Sequence, residues 1–349
     1  MPLQRSILGL LGSPHRRTMV LIISAALLVG LAIAYATWYQ YKPHMHIAAG
    51  GKIDDLAFDT NGHLYVVKLS SPVIERRSIE HGRIDMVLSA HSDSVSSIAF
   101  NPLRNILVSG SFDTTVILWN AAQGEVIRTL RGHRDGVTDV AVSMSGTLIA
   151  SSDDSDIIHL WQTESGAILR TIAAPNGSIV SIALSSDDQW LAVKGRHGAI
   201  DIWQVNTGAL VATIQPSYRA SNVALHPSRP LLASGGAGAK VVVWHVPDGR
   251  RVAQLEGHTT VIQVVTFSPD GRLLATASGS SGNFWENVPA DLTIRLWSVA
   301  SSELLTTIPA SDASFRTLAF SADSQWLAMG DTQGAIKLWQ VSDVCAPCQ

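Results

Sequence analysis

Short apolar runs separated by turn residues recur along most of the chain. Between residues 95 and 133 this pattern predicts four β-strands, at residues 95–101, 106–112, 116–120 and 126–130. The turns between them fall at Asn101-Pro102, at Asp113 and at Gln123-Gly124. A single sheet of four strands leaves one face uncovered, so this unit needs copies of itself to pack against.

A tryptophan ends the third predicted strand of each copy. It recurs at intervals of 42, 42, 41, 53 and 42 residues, at Trp119, Trp161, Trp203, Trp244, Trp297 and Trp339. Such a period is typical of a four-stranded propeller blade, and the longer interval indicates an insertion in one blade. Counting back 42 residues from Trp119 gives Arg77, and the residues 53–59 before it align with 95–101. The sequence therefore predicts seven repeats, of which the first is degenerate.

Several segments resemble the WD-repeat family of β-propellers. The best matches are SGSFDTTVILWN at residues 109–120, DLTIRLW at residues 291–297, and the pairs Gly132-His133 and Gly257-His258. The resemblance covers about everything after Pro43. It implies an all-β fold, a seven-bladed β-propeller of four-stranded antiparallel blades, with protein partners.

The family resemblance also implies a hydrogen-bonded tetrad that stiffens each blade, made of His, Ser or Thr, Asp and Trp. Carried onto this sequence, two blades hold the full set: His91, Ser109, Asp113 and Trp119, and His258, Thr276, Asp291 and Trp297. The other blades are expected to be incomplete. The turn aspartate is absent from blades four, five and seven, and the cluster Asp153, Asp154 and Asp156 of blade three fits a displaced turn aspartate. Several blades should thus depend more on apolar packing than on polar networks.

Composition supports a large core and excludes one class of partner. The chain is 46% hydrophobic and 15% charged, and it is long enough to bury a large apolar interior. A formal net charge of −3 with 6% aromatic residues provides no basic field for nucleic acid. We therefore expect no nucleic-acid partner.

The N-terminal part predicts a membrane anchor. Residues 1–17 carry three arginines and no acid and form a basic tail, whereas residues 18–41 carry no charge and are long enough to cross a bilayer as a helix. The basic flank predicts a cytoplasmic N-terminus and a single-pass cell-membrane protein with an extracytoplasmic propeller. The alternative is a signal peptide cleaved at Ala34-Tyr35-Ala36. In both interpretations the propeller is expected outside the cytoplasm.

The propeller itself is expected at residues 43–343, followed by a tail at residues 344–349. The last blade lacks a fourth strand of its own, and residues 43–49 align with the fourth strand of another repeat. We therefore predict that residues 44–49 close the ring, which removes an exposed sheet edge. In blade one, the run Glu75-Arg76-Arg77 is interpreted either as a solvated charged face or as a surface for an acidic partner.

Blade six contains an insertion that is the candidate partner site. Residues 280–290 lengthen the loop between its second and third strands, on the face where partners of this family commonly bind. Paired aromatic residues with polar neighbours fit an interaction anchor, here Asn283, Phe284, Trp285 and Glu286. The alternative is that both aromatic rings fold onto neighbouring loops.

The remaining chemistry favours a binding protein over an enzyme. Cys345 and Cys348 fit a local disulfide of small structural effect, with an intermolecular bridge as the other option. The sequence lacks a nucleophile elbow, an HExxH motif and a phosphate-cradling loop, and His44 and His46 lack a third metal ligand. We therefore expect no cofactor and no metal, and a non-enzymatic protein-binding scaffold. The alternative is an exported propeller enzyme of hydrolase or lactonase type, or a small-ligand sensor, which acidic or histidine side chains at a channel mouth would favour.

Overall fold

The computed structural model describes residues 41–175, 179–216, 220–279, 291–310 and 314–348. Within these residues, twenty-eight strands form seven four-stranded antiparallel sheets. Residues from Pro43 onward form one compact unit. The structure confirms the predicted all-β, seven-bladed propeller.

Each blade takes four consecutive strands, apart from the last. β1 (Met45–Ala48) comes before the first complete blade. Blade one contains β2 (Ile53–Phe58), β3 (His63–Lys68), β4 (Ile74–Ser78) and β5 (Ile84–Leu88). Blade two contains β6 (Val95–Asn101), β7 (Ile106–Ser111), β8 (Thr115–Asn120) and β9 (Glu125–Arg131). Blade three contains β10 (Val137–Val142), β11 (Leu148–Asp153), β12 (Ile157–Gln162) and β13 (Ile168–Ala173).

The second half of the ring repeats this order. Blade four contains β14 (Ile179–Leu184), β15 (Trp190–Gly195), β16 (Ile200–Gln204) and β17 (Ala209–Ile214). Blade five contains β18 (Ala220–Leu225), β19 (Leu231–Gly236), β20 (Lys240–His245) and β21 (Arg251–Glu256). Blade six contains β22 (Ile262–Phe267), β23 (Leu273–Ser278), β24 (Thr293–Ser298) and β25 (Leu304–Pro309). Blade seven contains β26 (Phe315–Phe320), β27 (Trp326–Asp331) and β28 (Ala335–Gln340), and a short helix α1 (Val341–Val344) follows it.

The first strands of adjacent blades contact one another around a closed ring, from β2 through β26 and back to β2. They therefore surround the central channel. Because the strands of a blade alternate in direction, its turns fall on two faces of the disc. The upper face holds the loops that enter each first strand and those that join second to third strands. The lower face holds the turns that join first to second and third to fourth strands.

The two ends of the chain meet in blade seven. β1 pairs antiparallel with β28, with Met45 opposite Leu338 and Ala48 opposite Ala335. Ile47 is 7% exposed and lies in an apolar cluster that includes residues of both blade seven and blade one. Residues 44–49 thus supply the outer strand of the last sheet, and this pairing closes the ring between blade seven and blade one.

The charged run of blade one is internal, so its interpretation as a solvated face is wrong. Glu75 and Arg77 are 9% and 7% exposed. The guanidinium of Arg77 lies 2.6 Å from the Glu75 carboxylate, whose other oxygen lies 2.6 Å from the ammonium of Lys68. Arg77 occupies the tryptophan position, where its long stem replaces part of the missing ring and Glu75 neutralises its charge.

Arg76 also turns inward and does not form a surface for an acidic partner. Its guanidinium pairs with Asp85 at 3.0 Å and donates to the carbonyl of Ala121 in blade two at 3.1 Å. The Tyr65 hydroxyl donates to the same carbonyl at 2.6 Å. These bonds join blade one to blade two in place of a conventional tetrad.

Three predicted segments lie outside the described residues. They are the basic tail at residues 1–17, the anchor at residues 18–41, of which only Tyr41 is described, and the blade-six insertion. In the part of the chain that the structure covers, no helix combines the length and hydropathy needed to cross a bilayer.

Candidate interaction face

The tetrad of blade two joins the upper-face loops to the blade. The Trp119 indole donates to Oγ of Ser109 at 2.8 Å, and that hydroxyl lies 2.8 Å from Nε2 of His91. Nδ1 of the same imidazole lies 2.9 Å from the carboxylate of Asp113. Burial lowers the pKa of His91, so the ring is neutral and its Nδ1–H donates to Asp113. His91 and Asp113 come from different loops, so the chain of bonds fixes one loop against the other.

Blade six contains the same arrangement with threonine in place of serine. Trp297 donates to Oγ1 of Thr276 at 2.9 Å, Nε2 of His258 lies 2.8 Å from this hydroxyl, and Nδ1 lies 3.0 Å from Asp291. Burial alone would raise the pKa of Asp291, but hydrogen bonds from His258 and Thr293 hold it well below its usual range. The carboxylate is therefore ionised and anchors the end of the insertion.

Blade three has a third complete tetrad, so the expectation that its set is incomplete is wrong. Trp161 donates to Oγ of Ser151 at 2.8 Å, and His133 lies 2.6 Å from Ser151 and 2.7 Å from Asp153. Asp153 is the last residue of β11 rather than a residue of the following turn. The signal was in the sequence: a Gly-His pair precedes the blade, and Ser151 stands ten residues before the tryptophan, as Ser109 does.

Blade seven also keeps a turn aspartate, contrary to the prediction. Asp331 ends β27 as Asp153 ends β11, and its Oδ1 accepts the backbone N–H groups of Gln333 and Ala335, each at 2.9 Å. A carboxylate at the end of the second strand therefore accepts hydrogen bonds from the turn, just as an aspartate two residues later does in blade two.

Blades four and five retain less of the tetrad. In blade five, Trp244 donates to Ser234 at 2.8 Å. In blade four, Val193 replaces the hydroxyl residue, and the buried Nε1 of Trp203 has no hydrogen-bond partner among the described residues. This part of the ring depends on the apolar packing that the sequence predicts.

The buried Ser–His–Asp chains have the connectivity of a hydrolytic triad, but they cannot act as one. Ser109 and Ser151 are both 0% exposed, and each Oγ already accepts the indole N–H of a tryptophan. A nucleophile must reach the substrate and be free to attack it. The tetrads are therefore structural supports of the upper face.

The described part of the upper face presents mixed chemistry around these supports. Phe112, next to Asp113, is 45% exposed, and Val180 at the channel mouth is 41% exposed. Burial and the nearby carboxylates of Asp135 and Asp153 raise the pKa of Asp154. Exposed apolar and acidic groups thus lie on the same face of the propeller.

The described residues that flank the blade-six insertion lie on this face. Ser278 at its start donates through Oγ to the carbonyl of Asp291 at its end, at 2.5 Å. The flanks of the insertion are therefore fixed to each other and to the tetrad. Its candidate contact residues, Asn283, Phe284, Trp285 and Glu286, lie outside the described residues.

Two carboxylates that no sequence motif indicates stand on first strands, beside the central channel. Asp55 of blade one accepts the N–H of Ile98 in blade two at 2.9 Å and the hydroxyl of Thr317 in blade seven at 3.1 Å. Burial raises its pKa to about 7. Asp139 of blade three accepts the N–H of Ile182 in blade four at 2.8 Å, and burial raises its pKa to about 6.

Acidic groups at the channel favour an enzyme or sensor only if they converge on one site. The charge of Asp139 also raises the pKa of Asp55, but the two residues stand on blades one and three, and each is already hydrogen-bonded to neighbouring blades. Among the described residues, no three His, Cys, Asp or Glu side chains gather as metal ligands would. The channel carboxylates therefore act as links between blades.

We expect replacement of Asp55 by asparagine to flatten the pH dependence of stability. The folded protein retains a proton on Asp55 up to about pH 7, whereas the unfolded chain releases it near the ordinary aspartate pKa of 3.8. The free energy of unfolding of the wild type should therefore fall as pH rises through this window, by at most about 4 kcal/mol. Urea denaturation at several pH values measures it, with Asp343→Asn as the control at an exposed carboxylate. Equal slopes for the wild type and Asp55→Asn would contradict the assignment.

Comparison with known proteins agrees with this architecture. The WD domain, G-beta repeat model matches residues 82–120, 124–162, 249–298 and 302–340. Each matched segment begins near the fourth strand of one blade and ends with the third strand of the next. The matched repeats and the seven-bladed ring together fit a WD-repeat β-propeller.

Two relatives share part of this sequence. The chain is 30% identical over 122 residues to small ribosomal subunit protein RACK1 of Drosophila melanogaster, covering 35% of this chain and 37% of that protein. It is 28% identical over 127 residues to small ribosomal subunit protein RACK1 of Medicago sativa, covering 35% of this chain and 39% of that protein. The chain thus matches less than half the length of these curated relatives.

Proposed function

We propose that this protein is a non-enzymatic scaffold that binds protein partners on the upper face of its propeller. The observation that carries this proposal is the set of tetrads in blades two, three and six. They fix the upper-face loops while their hydroxyls stay inaccessible to any substrate. A rigid face with loops of differing sequence is suited to protein docking, because less conformational entropy is lost on binding.

The relatives support a role in assembly rather than a particular partner. Their name places them in the small ribosomal subunit, a complex of many macromolecules. A ribosomal partner does not carry over, since the formal net charge of −3 offers no basic field for RNA. Protein surfaces fit the upper face better.

We further propose that residues 18–41 anchor the propeller in the cell membrane, with the basic tail at residues 1–17 in the cytoplasm. The supporting observation is their uncharged sequence, flanked by arginines on one side and by aromatic residues on the other. We propose that the partner of the upper face is extracytoplasmic.

The test compares variants purified from carbonate-washed, detergent-solubilised membranes of the native host. The wild type should remain in the washed membranes and co-purify with a protein partner, whereas the double variant Phe284→Ser, Trp285→Ser should lose that partner. Leu103→Ser is the matched control, because Leu103 is 68% exposed on the lower face. It removes an exposed apolar side chain without touching the upper face.

Each readout can contradict one part of the proposal. Release of intact protein by carbonate would show that residues 18–41 do not span the bilayer. Equal recovery of the partner with the wild type and the double variant would show that Phe284 and Trp285 are not part of the binding site. The absence of any protein partner with the wild type would overturn the scaffold function and redirect the search to small ligands.

A further inference from the structure

The C-terminal segment, residues 341–348, is folded against the lower face. A disulfide joins Cys345 to Cys348. Val341 and Val344 are each 4% exposed, and Cys345 is 1% exposed. The backbone N–H of Val341 donates to the carbonyl of Gln325 in blade seven at 2.8 Å. This segment is therefore packed on the propeller and does not hang free from its last strand.

The segment covers a cleft on the lower face of blades five and six. Arg272 of blade six donates to the carbonyl of Cys348 at 3.0 Å. Pro347 and Cys348 form one wall of a cleft of about 230 Å³, and Arg229, Arg272 and Leu273 are among the residues of the other walls. We call this the lower cleft. We call residues 341–348 the cover, because their last two described residues form one side of this cleft.

The start of the cover is held by burial of Val341, Val344 and Cys345, whereas its end is held by the disulfide and by the bond from Arg272. Helix α1 has four residues, which is too short to be stable in isolation. Within the cover, the N–H of Cys345 donates to Val341 and the N–H of Cys348 donates to Cys345, each at 3.0 Å. Breaking the disulfide frees the backbone of residues 345–348 to leave the conformation in which Cys348 meets Arg272.

The two sulfurs differ in access. Cys345 is buried, whereas Cys348 is partly exposed at the edge of the lower cleft. An incoming thiolate must approach the disulfide from solvent, so Cys348 is the sulfur that it can attack. The guanidinium of Arg272, bonded to the Cys348 carbonyl, adds positive charge that attracts a thiolate.

We propose that Cys345–Cys348 is a thiol-exchange site for a dithiol reductant, and that its reduction releases the cover from the lower cleft. A thiolate of the reductant bonds to Sγ of Cys348, the S–S bond breaks, and Sγ of Cys345 leaves with the electron pair and takes up a proton. The second thiol of the reductant then displaces Cys348. The reductant ends as a disulfide and the chain as a dithiol, so atoms and electrons balance.

This inference does not depend on the proposed function, because the lower cleft lies on the opposite face from the proposed partner site. It changes the expected role of the Cys pair. A local disulfide with little effect on global stability still controls the exposure of Leu273, which is 5% exposed, when it fixes the cover. The melting temperature reports any effect of the disulfide on global stability, whereas hydrogen exchange of residues 341–348 reports its effect on the cover.

Hydrogen exchange of the full-length protein in detergent tests the proposal, with dithiothreitol as the dithiol probe. We expect a mass gain of two hydrogens on reduction and an exchange rate at least about tenfold higher for the amides of residues 341–348. The turn that contains Arg272 should also exchange faster, with the melting temperature nearly unchanged. The double variant Cys345→Ser, Cys348→Ser should show the fast exchange without reductant.

Two outcomes would overturn the proposal. A disulfide that stays closed in millimolar dithiothreitol in the folded protein would show that it is not an exchange site. Full reduction with unchanged protection of residues 341–348 would show that packing, rather than the disulfide, holds the cover. Arg272→Gln is the matched variant for the attack step: it should slow reduction while the oxidised protein keeps its melting temperature.

Discussion

Replacing Ile47 by aspartate is expected to lower the melting temperature of the propeller by about 10 °C. Ile47 is 7% exposed in the cluster that joins blade seven to blade one. An aspartate there loses the burial of the apolar side chain and places a carboxylate among apolar residues, which together cost about 4 kcal/mol or more. Because β1 closes the ring, the loss affects the junction between the two ends of the chain. Thermal unfolding followed by tryptophan fluorescence measures it.

His46→Asp is the matched control for this experiment. His46 precedes Ile47 in β1, is exposed, and pairs with Lys337 of β28. The same residue is introduced on the same strand, but the core is not touched. Deletion of residues 44–49 should lower the melting temperature at least as far as Ile47→Asp. Equal melting temperatures for the two aspartate variants would show that β1 contributes little to closure.

The periodic features of the fold were predictable because each repeat must bury the same face. The tryptophan interval sets the blade length, and the missing fourth strand after Trp339 requires a strand from elsewhere in the chain. Residues 44–49 were identified by alignment with the fourth strand of another repeat, and the structure places β1 beside β28. Local pattern and ring closure therefore reinforce each other.

The tetrads were only partly predictable because geometry is more tolerant than motif spacing. Asp113 stands four residues after Ser109, whereas Asp153 stands two residues after Ser151, yet both carboxylates reach Nδ1 of a histidine. A motif with fixed spacing misses the second case. The histidine position, rather than the turn position, is what defines the set.

The charges of blade one and of the channel illustrate a different limit. Glu75 and Arg77 are two residues apart on β4, so their side chains point to the same face of the sheet and pair there. The run of charges in the sequence does not show this pairing. Asp55 reaches Ile98, 43 residues later, only because the first strands are neighbours in the ring. The sequence shows the residue types but not the partner that gives each charge its environment.

The largest effect of a single side chain in the tetrads is expected for His133→Ala. His133 bonds to both Ser151 and Asp153, so its removal leaves Oδ2 of the buried carboxylate without a donor while Oδ1 keeps two backbone N–H groups, at a cost of about 3 kcal/mol. The ring of His159 lies 4.4 Å from that of His133 between their centroids and would lose this packing as well. Urea denaturation measures the loss, with His197→Ala as the control at an exposed histidine.

The same variant has a pH signature that distinguishes the tetrad from simple packing. Burial lowers the pKa of His133 below the ordinary histidine pKa of 6.5, so the unfolded chain takes up a proton that the folded protein resists. Wild-type stability should therefore decrease as pH falls through about 6.5, and His133→Ala should lose part of that decrease. Asp55 has the opposite slope, because its raised pKa favours the folded state at lower pH. A loss of stability in His133→Ala with an unchanged acid slope would mean that cavity formation, rather than the hydrogen-bonded imidazole, accounts for its effect.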